Sequence, residues 1–251
     1  MSREPLAGRR ALITGASKGL GLAVTEALLE AGCEVIGLAR NVDELKPLEQ
    51  SSAGRLHAIS VDITDRAAIK DVMASCQGVD TLILNAGTCE YIEPGGFDAA
   101  AFARVQAVNL QGNANLLEAA IPALRQTGRG GHIIGVSSLV TELPLPRSEA
   151  YGASKAGFDY LMASLRTDLY HLGIDVTVVK PGFIRTPLTD KNDFDMPFLM
   201  EPQQAAQHLL KAIAQRRYVY RFPWQLALPM RILRLLPTPI LTRILQKMVR
   251  S

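Results

Sequence analysis

The sequence predicts a doubly wound α/β domain, one parallel sheet with helices on both faces, and three observations predict it. Short runs rich in Val, Ile and Leu alternate strictly with longer amphipathic stretches up to about position 180. The runs are almost continuously apolar, as strands covered on both faces must be. No Ser/Gly/Pro-rich linker or internal repeat interrupts them.

Taken in order, strands are expected at Arg10 to Thr14, Glu34 to Leu38, Leu56 to Val61, Thr81 to Asn85, His132 to Val136 and Asp175 to Lys180. Helices are expected near 20–31, 65–76, 98–126, 150–172 and 202–215, with Tyr218 to Phe222 as a candidate last strand. Consecutive parallel strands then join by right-handed crossovers. A chain of 251 residues, 48% hydrophobic and 20% charged, buries roughly three quarters of its unfolded surface, which excludes disorder as its main state. The expectation is a single domain over 1–222 followed by an appendage over 223–251. There Pro223, Pro229, Pro237 and Pro239 should cut the chain into short helical pieces.

Charge is unevenly placed. Residues 202–251 hold nine basic side chains and no acidic one, whereas the other 201 residues carry 18 basic and 24 acidic, a balance of −6. Over 240–250, Ile240, Leu241, Ile244, Leu245, Met248 and Val249 share one helical face, and Arg243, Lys247 and Arg250 the other. Cations interrupt every apolar run before a membrane span is reached, so the pattern suggests in-plane contact with an anionic surface. A flap over the substrate opening, a dimer contact or a helix pair packed on its own domain would also use it. Cys33, Cys76 and Cys89 are odd in number and widely spaced, as in reduced thiols of a cytoplasmic protein, and the N-terminus shows no secretory signal. The four histidines are scattered and no metal site is expected.

Three groups of residues carry chemistry. Thr14 to Gly21 (TGASKGLG) lies between the first strand and first helix; Gly15, Gly19 and Gly21 let a phosphate approach the backbone N–H groups of a helix N-terminus. Ser17, Lys18 and Leu20 complete that loop. The second strand ends Gly37-Leu38-Ala39-Arg40, with no carboxylate to accept from a ribose 2′-hydroxyl, while Arg40 and Lys18 would attract a 2′-phosphate. NADP(H) is therefore expected over NAD(H). Third, Tyr151 and Lys155 stand four apart, on one helix face. An ammonium about 4 Å from a phenol is worth roughly 4 kcal/mol at an effective dielectric near 20, about three pK units. Tyr151 could then give a proton to a carbonyl oxygen that Ser138 also holds.

Together these motifs resemble the short-chain dehydrogenase/reductase family: TGASKGLG fits TGxxxGxG, Asn85-Ala86-Gly87 fits NAG, Tyr151 to Lys155 fits YxxxK, and Ser138 has the family spacing. The resemblance implies a Rossmann-type fold and further roles. Asn109 would be the helix asparagine of a proton relay, and Asp62 with Ile63 would contact adenine. Asn85, Ala86 and Gly87 would line the adenosine ribose, and Pro181, Gly182, Ile184 and Thr186 would grip the nicotinamide. Lys155 would also bond the nicotinamide ribose. Asp62 and Thr186 could equally be helix caps. A homodimer through the helices near 98–126 is expected.

Substrate-facing segments are expected at Pro187 to Glu201, offering Leu188, Phe194, Met196, Phe198, Leu199 and Met200, and after Ser138, offering Leu139, Leu143, Pro144 and Leu145. Such walls favour an apolar ketone or aldehyde and its alcohol. Asp190 to Asp195 reads as a mobile lid. The reading is an NADPH-dependent carbonyl reductase with no nucleic-acid partner, soluble or peripheral at a membrane; a catalytically silent NADP-binding regulator is the alternative.

Overall fold

The computed structural model describes residues 5–93, 95–128 and 130–248. Seven parallel strands form one sheet: β1 (Arg10–Thr14), β2 (Glu34–Ala39), β3 (Leu56–Ser60), β4 (Thr81–Leu84), β5 (Gly131–Val136), β6 (Ile174–Pro181) and β7 (Val219–Phe222), in the order β3-β2-β1-β4-β5-β6-β7. The helices are α1 (Gly19–Glu30), α2 (Lys46–Ser51), α3 (Arg66–Ser75), α4 (Ala99–Gln106), α5 (Asn113–Leu124), α6 (Glu149–Leu169), α7 (Pro202–Ala214), α8 (Trp224–Leu233) and α9 (Thr238–Gln246). This is a Rossmann-type fold.

The core forms two layers, one on each face of the sheet. On one side Val24, Leu28, Leu209 and Ile213, from α1 and α7, pack on Ile13, Val35 and Ile134; on the other Ile69, Leu116, Leu117, Phe158 and Met162, from α3, α5 and α6, pack on Leu12, Ile36, Leu82 and Val178. Alternate strand residues thus feed opposite layers, which is why the strands read as unbroken apolar runs. After β3 the chain crosses back to lay β4 beside β1. Helices then diverge on either side of the carboxyl ends of β1 and β4, and that divergence opens the crevice where this architecture binds ligands.

Each expected strand is present within one residue of its expected ends. The expected helix 98–126 is one rod in three parts, because residues Ala107–Gly112 wind as a π-helix between α4 and α5. Pro229 does not cut the appendage. It lies inside α8, where both it and Gln225, whose carbonyl loses its i+4 donor, are exposed and water can take up the freed acceptor. The inner face of α8 and α9 packs on the domain: Ala227 and Met230, with Leu226, Leu233 and Leu241, close over Leu139 and Leu143. Val249 and Arg250 lie outside the described residues. Among those described, no helix is long and apolar enough to cross a membrane.

Candidate active site

The crevice is a cleft of about 890 Å³, walled by the loops after β1, β2, β4, β5 and β6. Gly15, Ser17, Lys18, Gly19, Leu20 and Gly21 line one end. Gly15 and Gly19 take left-handed φ of +65° and +53°, and a Cβ on Gly21 would stand 2.0 Å from the Gly15 carbonyl oxygen. Only glycines close this turn onto the start of α1. The Asn85 side chain donates to the carbonyls of Thr14 (2.9 Å) and Gly15 (3.3 Å), so besides lining the cleft it fastens the loop from behind.

Arg40, Asp62 and Ile63 flank the same end, with Ala86 and Gly87 beside them. Asp62 accepts from the Thr64 N–H and hydroxyl, both at 2.8 Å, and these bonds hold its carboxyl below the ordinary range. It is a turn-former whose edge also faces the cleft. Lys18 pairs with Glu44 at 3.0 Å, so an arriving phosphate would have to displace a carboxylate there. Arg40 is exposed at the end of β2.

At the other end stand Ser138, Tyr151 and Lys155. Ser138 caps a short 3₁₀ turn, Leu139–Glu142, accepting from the Val140 N–H at 3.1 Å, and lines the cleft together with Tyr151. The Lys155 ammonium is buried, donates to the Val136 carbonyl at 2.8 Å and lies 5.8 Å from the Tyr151 ring centre. Burial, only partly offset by Asp159 and Cys89, pulls its pKa down to about 8. The Tyr151 phenol is likewise pushed up from its ordinary value by burial, with Cys89 adding to the rise and the nearby Ser138 hydroxyl opposing it. This corrects the expected acidification: a one-turn spacing brings the two groups together, but desolvation dominates when both are buried.

Asn109, in the π-helical segment, is fully buried; it accepts from the Thr88 N–H (2.7 Å) and donates to the Thr88 carbonyl and the Ser154 hydroxyl (both 2.9 Å). It stands next to Gly87 and, across it, Lys155: a Cβ on Gly87 would sit 3.4 Å from the Asn109 Oδ1 and 3.5 Å from the Lys155 Nζ. Pro181, Gly182, Ile184 and Thr186 line the cleft. The Thr186 methyl crowds Gly19, 2.8 Å from where its Cβ would be, so it bridges the two ends.

Of the expected substrate walls, Leu188 lines the cleft. Phe194 packs edge-on against Tyr91 (6.0 Å) and Phe183 (5.9 Å). Phe198 instead points to solvent, Met200 packs on the core, and Leu139 and Leu143 are taken up by the appendage. The segment Asp190 to Asp195, expected as a mobile lid, carries side-chain contacts to its surroundings. Tyr91 donates to Asn192 at 2.5 Å, and Arg147 pairs with Asp193 at 2.9 Å and with Glu93 at 2.6 Å, fastening the segment over the site. The Cys89 thiol, pushed up to about 11 by burial, stays protonated.

Sequence reasoning missed Ser137, a buried cleft residue whose hydroxyl has no hydrogen-bond partner among the described residues. It also missed Thr88, Glu90, Arg104 and Lys191, cleft residues outside any motif. The unmet Ser137 hydroxyl, the glycine turn no Cβ could enter and the length of the cleft all fit a dinucleotide.

The model of the short chain dehydrogenase family matches residues 9–196. An uncharacterized oxidoreductase of Myxococcus xanthus is 37% identical over 245 residues, covering 92% of this chain and 94% of its own. Sulfoacetaldehyde reductase 2 of Chromohalobacter salexigens is 34% identical over 185 residues, 71% of this chain and 73% of its own. A short chain dehydrogenase from Burkholderia cenocepacia, solved in complex with NADP, superposes with a TM-score of 0.86 at 26% identity, covering 96% of this chain and 99% of that one. With the fold, the glycine turn and the family model in agreement, the chain belongs to the short-chain dehydrogenases, enzymes that use a nicotinamide dinucleotide.

Proposed function

We propose that the enzyme is an NADPH-dependent carbonyl reductase acting on an apolar ketone or aldehyde and, in reverse, on the corresponding alcohol. The observation that carries this reading is the convergence of Ser138, Tyr151 and Lys155 at one end of the cleft, with the Lys155 ammonium buried one helical turn beyond the phenol. When bound, the nicotinamide supplies hydride to the carbonyl carbon. Ser138 orients the substrate oxygen and Tyr151 delivers a proton to it. Lys155, held by the Val136 carbonyl, fixes the position of that phenol and offers a donor to a ribose hydroxyl. The aromatic cluster of Tyr91, Phe183 and Phe194 supports a preference for apolar groups.

Arg40 supports NADPH, because a cation at the end of β2 complements a 2′-phosphate and no carboxylate replaces it there. Lys18 assists only after exchanging its bond with Glu44. The relative that reduces sulfoacetaldehyde defines the opposing substrate class, a small anionic aldehyde.

The test is NADPH oxidation with long-chain ketones and aldehydes beside sulfoacetaldehyde, in the parent and in Tyr151→Phe. Turnover on the apolar arm, lost about a hundredfold or more in the variant with NADPH binding kept, is expected. Turnover on the anionic arm alone overturns the substrate class. Unchanged turnover in the variant overturns the mechanism, and no turnover on any arm favours the silent regulator. Stronger thermal stabilisation by NADH than by NADPH at equal concentration overturns the cofactor preference.

A further inference from the structure

Seven of the thirteen large apolar side chains exposed among the described residues lie between Trp224 and Met248. They form two rows at one-turn spacing. Trp224, Leu228 and Ile232 are 69, 50 and 57% exposed along α8, with Leu235 just beyond its end; Ile240 and Ile244 are 48 and 36% exposed along α9, with Met248, 56% exposed, just beyond its end. The opposite faces of both helices are held by Leu139 and Leu143, so the outward rows are fixed in place by the domain and are exposed among the described residues.

Charge decides what could cover them. Arg231, Arg243 and Lys247 flank the rows and make no ion pair among the described residues, and no carboxylate occurs anywhere from Pro202 to Ser251. A second copy meeting this face about a two-fold axis would bring like charges together with no acidic side chain in the segment to relieve them. Anionic headgroups would pair with the same cations while the aliphatic tips and Trp224 sink among the acyl chains. We propose that α8 and α9 dock the enzyme in-plane on an anionic lipid surface. The proposal stands apart from the catalytic reading, since turnover is not among its readouts.

Trp224 is the protein's single tryptophan, so the full chain carries its own reporter on this face. Vesicles of phosphatidylglycerol and phosphatidylcholine should shift its emission to the blue and co-sediment the protein. Phosphatidylcholine alone should do neither, and 0.5 M NaCl should weaken the partition about tenfold. Ile232→Asp/Ile244→Asp, at exposed positions, should abolish binding, and Arg243→Gln/Lys247→Gln, which leaves the apolar rows intact, should weaken it about tenfold. Three results would overturn the proposal: equal or absent binding to the two vesicle types, binding retained by both double variants, or a blue shift that grows with protein concentration without lipid, alongside a dimer in sedimentation velocity, which would name a second copy as the occupant.

Discussion

Glu142 is 3% exposed and closes the turn that Ser138 opens. Its carboxylate accepts from the Lys180 Nζ at 2.9 Å and the Arg221 Nε at 2.8 Å, with the Arg234 guanidinium 3.8 Å away. Glu142→Ala strands these cations. Breaking a buried ion pair from one side costs about 3–5 kcal/mol. Here the low end applies, because Lys180 keeps Asp159 at 2.7 Å and the Arg221 side chain is 26% exposed, within reach of water. A loss of about 3 kcal/mol lowers Tm by about 6–12 °C in a domain of this size. Glu142→Gln, which keeps an oxygen for Arg221, should lose roughly half as much. Burial alone would raise the Glu142 pKa, but the hydrogen bonds from Arg221 and Lys180 outweigh it and hold the group below 4.5. Its contribution is therefore present above pH 4.5 and lost as pH falls through the lowered pKa, so the gap between parent and variant should narrow on acidification. Because the same turn carries Ser138, kcat should fall about tenfold or more. Thermal unfolding at pH 7 and pH 3, with NADPH turnover, checks this. A Glu142→Ala Tm within 2 °C of the parent at pH 7 would refute the reasoning.

Gly21→Ala forces a Cβ to 2.0 Å from the Gly15 oxygen and 2.7 Å from the Asn85 Nδ2, so the turn must open; at an NADPH concentration a hundred times the parent's Kd, where the parent gains about 2.7 kcal/mol, the variant should gain less than a third of that by thermal shift. Lys155→Met should abolish turnover yet raise stability at pH 7 by about 2 kcal/mol, since burial holds the ammonium at about 8 against 10.5 unfolded; that cost is full below pH 8 and relieved as pH rises toward 10.5, so denaturant midpoints should converge there. His132, bonded to the Thr177 hydroxyl at 2.8 Å, is pulled down to about 3 by burial with Arg216 and Arg9 adding to the fall. It contributes stability above pH 6.5 that is lost toward pH 3, at most about 4–5 kcal/mol, and urea midpoints of His132→Gln should show a flatter acid limb.

The parts of this enzyme that were legible in sequence are those whose information is local. Strand ends follow from apolar runs, the glycine turn from the need to admit a phosphate, and the Tyr151 and Lys155 pairing from helical periodicity. What needed coordinates depends on burial or on contacts far apart in the chain. A one-turn spacing places an ammonium near a phenol but carries no measure of how dry the site is, and dryness is what raises Tyr151 and lowers Lys155. That the amide of Asn85, besides lining the cleft, fastens the glycine loop shows only in its bonds to Thr14 and Gly15, about seventy residues away. Leu139 and Leu143 are apolar whether they face a substrate or a helix, and only the fold shows α8 lying on them.

Glu142 is the residue that no pattern exposed, since its partners are 38 and 79 residues distant, although a lysine closing the apolar run of β6 was a trace of it. Its position changes what the appendage is. Lys180 adjoins Pro181 and Gly182, which line the cleft, and a Cβ on Gly182 would sit 3.1 Å from the Leu226 side chain of α8. Through Lys180 and Asp159 the carboxylate reaches α6 one turn beyond Lys155; through Arg221 it reaches β7, and through Arg234 the end of α8. A segment tied by apolar contacts and by charge to the turn carrying Ser138 cannot shift without moving that hydroxyl. Packing at this density transmits displacement rather than absorbing it. Residues 223–248 therefore support, from behind, the turn that carries Ser138, whatever their outer side meets.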